Sequence, residues 1–106
     1  MIITSGEFVV GKKIIKTLGL VKGNTVRSRH VGRDIGAAFR SIIGGEVVEY
    51  TKLIAESREQ AIDRMVEEAE EMGGNAIIMV RFTTSSIAAG SAELLAYGTA
   101  VCVENE

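Results

Sequence analysis

The chain has 106 residues, of which 46% are hydrophobic and 5% aromatic, with 12 glycines, no proline and a single cysteine. This length suffices for one hydrophobic core and is too short for two, so we expect a single domain over residues 1–106. No uncharged apolar run approaches the roughly 18 residues that a membrane-spanning helix needs. The start MIITSGEF lacks the basic and apolar regions of a signal peptide. We therefore expect a cytoplasmic protein.

Charge is distributed unevenly along the chain, although the formal net charge is only -2 at pH 7. Residues 1–45 carry eight Lys and Arg against two acidic residues, a net charge of +6. Residues 46–106 carry four basic residues against twelve acidic ones, a net charge of -8. A basic half can indicate an anionic partner. We favour charge pairing between the two halves, within or between subunits, because that counter-charge is always present.

The first third of the chain predicts extended structure. Residues 2–4 are apolar and long enough only for a terminal or edge strand. Residues 12–24 are rich in aliphatic side chains and end in the turn signal Gly-Asn, although residues 25–29 are able to continue the strand. Gly19 lies in the middle of this segment and predicts a bulge or a close backbone approach.

Two segments have the periodicity of helices. From Gly32, apolar residues recur at spacings of three and four, and the glycine pair at 44–45 ends the pattern. Residues 46–72 form a longer amphipathic helix, which the sequence Gly-Gly-Asn at 73–75 stops. At 1.5 Å per residue this helix is about 40 Å long, whereas a compact domain of this size is about 33 Å across. The helix therefore either breaks near Ser57 or extends onto another molecule.

The last third predicts two strands, at residues 76–82 and 92–104, joined by the polar loop TTSSIAAGS at 83–91. Because side chains alternate along a strand, the second strand has one face of mostly small residues that a helix could approach closely. The members of that face are Leu94, Ala96, Gly98, Ala100 and Cys102. The other face is bulkier and needs a separate cover, either a short helix or a neighbouring subunit. Its members are Glu93, Leu95, Tyr97, Thr99, Val101 and Val103.

A group of arginines is the first candidate binding site. Arg27, Arg29, Arg33 and Arg40 could hold a phosphate with the help of backbone amides at the start of the short helix. The surrounding sequence matches no P-loop, and no tryptophan or tyrosine is interleaved with the arginines as in a nucleic-acid site. We favour the simpler interpretation that these arginines pair with carboxylates inside or between subunits.

The residues of a single chain give little support for a metal site or a catalytic site. His30 is the only histidine, and the neighbouring arginines favour its neutral form, but structural zinc needs four ligands. Cys102 is expected to be a buried small hydrophobic residue, and Met65, Met72 and Met79 to fill gaps in the core. A serine nucleophile in the loop at 83–91 would need a nearby histidine. We therefore predict that the protein is not an enzyme.

Several separated blocks of the sequence together resemble one family of small bacterial and archaeal proteins. The blocks are LGLVKGNTVRSRHVGRDI, RSIIGGEVVEYTKLIAESREQAIDRM, GGNAIIMVRF and AELLAYGTAV. In this order, and from Met1 to about Val103, the chain is similar to the YbjQ-like family.

The resemblance implies an α+β subunit with a dodecin-like β-α-β-β arrangement, in which one long helix packs on a mainly antiparallel sheet. It also implies assembly into homopentameric rings, with short extra strands that help to join the subunits. The family carries a heavy-metal-binding label, which one histidine and one cysteine cannot satisfy within a single chain. A ring could gather five copies of His30, or of a carboxylate such as Glu93, around its axis.

From these observations we expect a ring-forming protein without catalytic activity that binds a metal ion or small ligand at the ring or at subunit junctions. The alternative is a scaffold or interaction module that holds an anionic partner through the arginine patch at 27–40. Nucleic acid is the less favoured partner and no cofactor is specified. The candidate ligand-binding residues are Arg27, Arg29, His30, Arg33, Asp34, Glu93 and Tyr97, with His30 also the candidate metal ligand.

Overall fold

The computed structural model describes residues 1–28, 47–88 and 91–106. The described elements are β1 (Ile2–Ile3), β2 (Lys12–Ser28), α1 (Val47–Glu71), β3 (Ala76–Ala88) and β4 (Ser91–Asn105). The strands form one sheet in the order β1-β3-β4-β2, in which only the β1–β3 pair is parallel. The protein is thus α+β, with one helix on a mixed four-stranded sheet, as expected. The short helix predicted from Gly32, with its stop at 44–45, lies outside the described residues.

The long strand predicted near the N-terminus is confirmed and extends through Ser28. β2 pairs with β4 along its whole length, with register shifts between Ile14 and Lys16 and between Thr17 and Gly19. Gly19 has a φ of 132°, a conformation that residues with a Cβ rarely adopt. The predicted irregularity at Gly19 is therefore a bulge that re-aims the strand.

The long helix is continuous through Ser57, which excludes the first of the two alternatives, a break near that residue. Its 25 residues span about 37 Å at 1.5 Å per residue. Gly73 ends it with a φ of 87°, and the amides of Gly73 and Gly74 donate to the carbonyls of Glu70 and Ala69, each at 2.9 Å. Within the described ranges, no helix combines the length and the apolar character needed to cross a membrane.

The main core lies between α1 and the sheet. It contains Val21, Ala61, Met65, Ala69, Ile77, Val80, Ala96 and Ala100. Small residues on β4 face the helix as predicted, but the tightest approach is on β2. A Cβ added to Gly23 would collide with backbone atoms of Ala61 and Met65 and would lie 2.8 Å from Cβ of Arg64. β2 therefore requires glycine at this position for α1 to pack on it.

The opposite face of the sheet is covered in part by the N-terminal segment, which sequence reasoning did not foresee. Ile2 and Val9 pack against a second apolar cluster made of Ala76, Ile78, Val101 and Val103. The segment is also tied to the edge of β3, because the Thr4 amide donates to the Ile77 carbonyl at 3.0 Å and the Val80 amide donates to the Thr4 carbonyl at 3.1 Å. In the described part of the chain, no helix or strand packs on this face beside residues 93–97.

The loop predicted at residues 83–91 is mostly strand. β3 continues to Ala88 and β4 begins at Ser91, with Thr83 opposite Leu95 and Ser85 opposite Glu93. The threonines and serines make this stretch as polar as a loop. A strand can nevertheless accommodate them when it is paired with a neighbour and one of its faces is open to solvent. The sheet is longer than the sequence indicated, and its far end is polar.

Three predictions of core residues need correction. Met72 and Met79 are 39% and 42% exposed, so of the three methionines only Met65 fills the core. Met79 has a φ of 56° and lies in the register shift between Ile78 and Arg81, which turns its side chain outward. Cys102 is half-buried, and its thiol donates to the Gly73 carbonyl at 3.4 Å.

Candidate functional site

Arg27 is fixed by the helix and does not point into an open anion site. It lies near the end of β2, and its Nε donates to Oγ of Ser57 at 2.6 Å. Its Nη2 donates to Oε1 of Gln60 at 2.7 Å. The partners are thus a hydroxyl and an amide of α1, whereas the expected partners were carboxylates.

Ser57 makes this junction a closed polar network. Its side chain is buried, and its Oγ donates to the Leu53 carbonyl at 3.0 Å while accepting from Arg27. Oγ1 of Thr25 donates to the Ser57 carbonyl at 3.2 Å. Since buried polar groups are costly unless they are hydrogen-bonded, these contacts account for Ser57 inside an otherwise apolar interface and fix how α1 sits on β2.

Glu93 and Tyr97 lie on the other side of the sheet from Arg27. Glu93 is opposite Val26 on β2, and Tyr97 is opposite Lys22, whereas Arg27 is opposite Ala92. Directly opposed residues share a face and successive residues alternate between faces. Glu93 accepts a hydrogen bond from Nδ2 of Asn24 at 3.0 Å. The structure therefore keeps Glu93 and Tyr97 on one face and separates both from Arg27.

The remaining predicted site residues, Arg29, His30, Arg33 and Asp34, lie outside the described residues, as does Arg40. Their predicted roles stay predictions. Among the described residues, no group of three or more His, Cys, Asp or Glu side chains is placed to hold a metal ion.

Tyr97 is the centre of a row of side chains that sequence reasoning missed. It is opposite Lys22 on β2 and opposite Arg81 on β3, so a cation flanks the phenol on each side. Nη1 of Arg81 donates to the carbonyls of Ser5 at 2.8 Å and Val80 at 2.9 Å. The sequence shows the alternation along each strand, but it does not show the register between strands, because each of the two pairings contains two register shifts.

A groove lies on the helix side of the sheet, between the first half of α1 and strands β3 and β4. Its apolar lining includes Ile54, Ile62, Phe82 and Leu94, and Arg58 and Glu59 lie at its rim. Ile54 and Phe82 remain 40% and 47% exposed. Helix α1 packs mainly on β2 and hardly at all on β3, so among the described residues no helix lies above this part of β3.

A helix on one face of a four-stranded, mostly antiparallel sheet, with an N-terminal segment on the other face, defines a small two-layer α+β domain. A solved structure of similar fold is a protein of unknown function from Pediococcus pentosaceus, assigned to the DUF74 family. It superposes with a TM-score of 0.66 over 98% of each chain at 15% sequence identity. That likeness concerns the fold alone.

The chain belongs to the YbjQ-like family, whose profile matches residues 1–104 and bears the description "Putative heavy-metal-binding". It is 59% identical to a UPF0145 protein of Dehalococcoides mccartyi over 98% of this chain and 100% of that relative. It is 52% identical to a UPF0145 protein of Methanosarcina acetivorans over 99% of each chain. The resemblance found in the sequence blocks is confirmed.

Proposed function

We propose that this protein is a cytoplasmic, non-catalytic, ring-forming subunit that binds a metal ion or small ligand where subunits meet. The observation that carries the proposal is the large apolar surface that one subunit leaves open. Phe8 and Val10 are 66% and 88% exposed, and Leu20 is 65% exposed on β2. Apolar side chains as exposed as these mark an interaction site where they form one patch, and we propose that neighbouring subunits cover them.

The dimensions of the subunit support the same proposal. The radius of gyration is 17.1 Å and the principal extents are 54 × 23 × 17 Å, whereas a compact chain of this length has a radius of gyration of about 13 Å. The surface area is 7031 Å², against about 5,700 Å² expected for a compact monomer of 11.3 kDa.

The sheet has two different unpaired edges. In the described ranges, the outer edge of β2 has no partner strand, and β3 is unpaired on its outer side beyond the N-terminal segment. Unpaired edges are templates for pairing with another chain. Two unlike edges favour head-to-tail contacts, which close into a ring when the rotation between subunits allows it. The pentameric number is the one that the family resemblance implies.

A junction between subunits is the place where metal binding is chemically reasonable. The described part of one chain offers no cluster of three metal-ligating side chains, and four ligands are usual for structural zinc. We therefore propose that donors come from several subunits. His30 and Glu93 are the residues we propose, each contributed once by every copy. We assign no catalytic role, because the chain has one histidine and its cysteine thiol donates to a backbone carbonyl.

A native mass spectrum combined with elemental analysis tests this proposal on full-length protein purified without a histidine tag. We expect a single oligomer that retains a fixed number of metal ions or ligand molecules per ring. His30→Ala should release a bound metal and leave the oligomer intact, whereas Glu7→Ala, at an exposed N-terminal position, should change neither. A monomeric spectrum, or metal retention that is unchanged in both His30→Ala and Glu93→Gln, would contradict the proposal.

A further inference from the structure

The open face of the sheet carries a second, unassigned site next to Tyr97. The N-terminal segment covers the opposite end of this face through Ile2 and Val9. In the described part of the chain, the row formed by Lys22, Tyr97 and Arg81 has no helix or strand above it. Lys22 and Arg81 are exposed and Tyr97 is half-buried. A ligand can therefore reach all three side chains from solvent.

The spacing of the row suits one small anion. Lys22 and Arg81 are each one strand away from Tyr97. Since neighbouring strands lie about 4.8 Å apart, the two cationic side chains leave the sheet about 10 Å from each other. Lys22 is long and flexible enough to reach over the phenol ring towards the guanidinium of Arg81, whose Nη1 is held by the Ser5 and Val80 carbonyls. An anion held there could accept hydrogen bonds from the ammonium, the guanidinium and the tyrosine hydroxyl.

Arg81 is already oriented by the protein. Its Nη1 donates to the carbonyls of Ser5 and Val80, and its Nε and Nη2 carry further N–H donors. A guanidinium that is already held through some of its N–H donors loses less side-chain entropy when its remaining donors bind an oxyanion. Charge-assisted hydrogen bonds of this kind are stronger than neutral ones.

The local charge favours an anion over a metal cation. The carboxylate of Glu93 is four residues from Tyr97 along β4, about 13 Å at 3.3 Å per residue, and it already accepts from Asn24. Along β3, Thr83 shares the face of Arg81 at a distance of two residues, about 7 Å, and adds a hydroxyl donor. Lysine and arginine beside hydroxyl donors fit a phosphate.

We infer that Lys22, Tyr97 and Arg81 form a binding site for a phosphate-class oxyanion, either inorganic phosphate or the phosphate of a mononucleotide whose base stacks on Tyr97. One aromatic ring gives a platform for a single base, whereas proteins that track single strands use successive rings. All three residues belong to one subunit, so the inference does not depend on the proposed ring.

Isothermal titration calorimetry on the full-length protein tests the inference, with inorganic phosphate and adenosine 5′-monophosphate as the two probes. We expect Lys22→Ala and Arg81→Gln each to raise the Kd for both probes by about tenfold, the loss of one charge-assisted hydrogen bond. If the base stacks on Tyr97, Tyr97→Ala should weaken the binding of the nucleotide more than the binding of inorganic phosphate. If only the phosphate is held, the variant should weaken the binding of both probes equally. Either result agrees with the shared site.

The matched control is Lys16→Ala, because Lys16 is an exposed lysine on the same strand, opposite Cys102 on the helix side of the sheet. It should leave both Kd values within about twofold. Because Arg81 also anchors the N-terminal segment, the Lys22→Ala variant decides the test, with thermal melting to show that it folds. No binding of either probe, or equal losses in Lys16→Ala and Lys22→Ala, would overturn the inference. A monomeric protein that binds phosphate through Lys22 would contradict only the proposed ring.

Discussion

Gly23 is the residue on which the packing of the helix depends most directly. A methyl group there would meet the backbone of Ala61 and Met65, which cannot rotate away as a flexible side chain could. Sequence reasoning identified the glycine only as part of a turn signal, since nothing local shows that α1 crosses β2 at this point. Close approach of this kind depends on tertiary structure, so composition and periodicity do not reveal it.

Gly23→Ala is expected to lower the free energy of unfolding by at least about 1–3 kcal/mol, because the helix must shift away from β2. Thermal and urea denaturation at a fixed protein concentration measure the change. Gly6→Ala is the control: the nearest atoms to its added Cβ would be Oγ1 of Thr4 at 3.5 Å and the Phe8 carbonyl oxygen at 3.7 Å, which are ordinary contacts. Equal stability of the two variants would show that α1 does not pack closely on Gly23.

The structure makes Arg27 less suitable for its predicted role in binding an anion. Its hydrogen bonds to Ser57 and Gln60 join β2 to α1, so it has fewer donors to offer an anionic partner. The sequence could suggest that the arginine was important, but it could not identify a hydroxyl and an amide 30 or more residues away as its partners.

Arg27→Met is therefore expected to destabilise the fold by about 1–2 kcal/mol, through the loss of hydrogen bonds from a charged donor to a partly buried hydroxyl and an exposed amide. Arg58→Met, at an exposed position of α1, should change the free energy of unfolding by less than about 0.5 kcal/mol. Melting curves of both variants give the comparison. If Arg27→Met keeps the parent stability but loses binding of an anion, the arginine-patch alternative gains support instead.

At the scale of elements, the two halves of α1 differ in how far their apolar side chains are buried. Its second half buries Ala61, Met65 and Ala69 against β2 and β4, whereas Leu53 and Ile54 in the first half stay 43% and 40% exposed. Periodicity predicted one continuous apolar face and was right about the helix. It could not show how much of that face the subunit itself would cover.

Two methionines, one within α1 and one just beyond its end, test the position of the core. Met65→Ala should cost about 2–5 kcal/mol, because it removes a fully buried side chain from the core. Met72→Ala should cost less than about 1 kcal/mol, since Met72 lies just beyond α1 and is partly exposed. Urea denaturation of the two variants at one protein concentration gives the difference. Similar losses would contradict the position of the core.

The strands show where local sequence patterns succeed and where they fail. Alternation and glycine positions predicted β2, the bulge at Gly19 and the small-residue face of β4. They missed the extension of β3 through the polar residues at 83–88, because pairing with β4 rather than local propensity forms that strand. They also missed Val9 as a cover for the second cluster, since short irregular segments have no periodicity to detect.

At the scale of the whole molecule, the shape of the chain agrees with assembly more directly than its charge does. The first 45 residues carry a net charge of +6 and the rest -8, and β2 of the basic half pairs along its length with β4 of the acidic half, so part of this counter-charge is met within one chain, as between Lys13 and Glu104. The elongated subunit exposes more surface than a compact monomer should. Of the row on the open face, the sequence singled out Tyr97 as a candidate, whereas its neighbours Lys22 and Arg81 depend on strand register, which the sequence does not reveal.

Sedimentation velocity on the full-length protein, diluted stepwise through micromolar concentrations, tests the central claim of assembly most directly. We predict one sedimenting species with the mass of five 11.3 kDa subunits, which persists on dilution without a folded monomer. A stable, folded and soluble monomer at micromolar concentration would contradict the account.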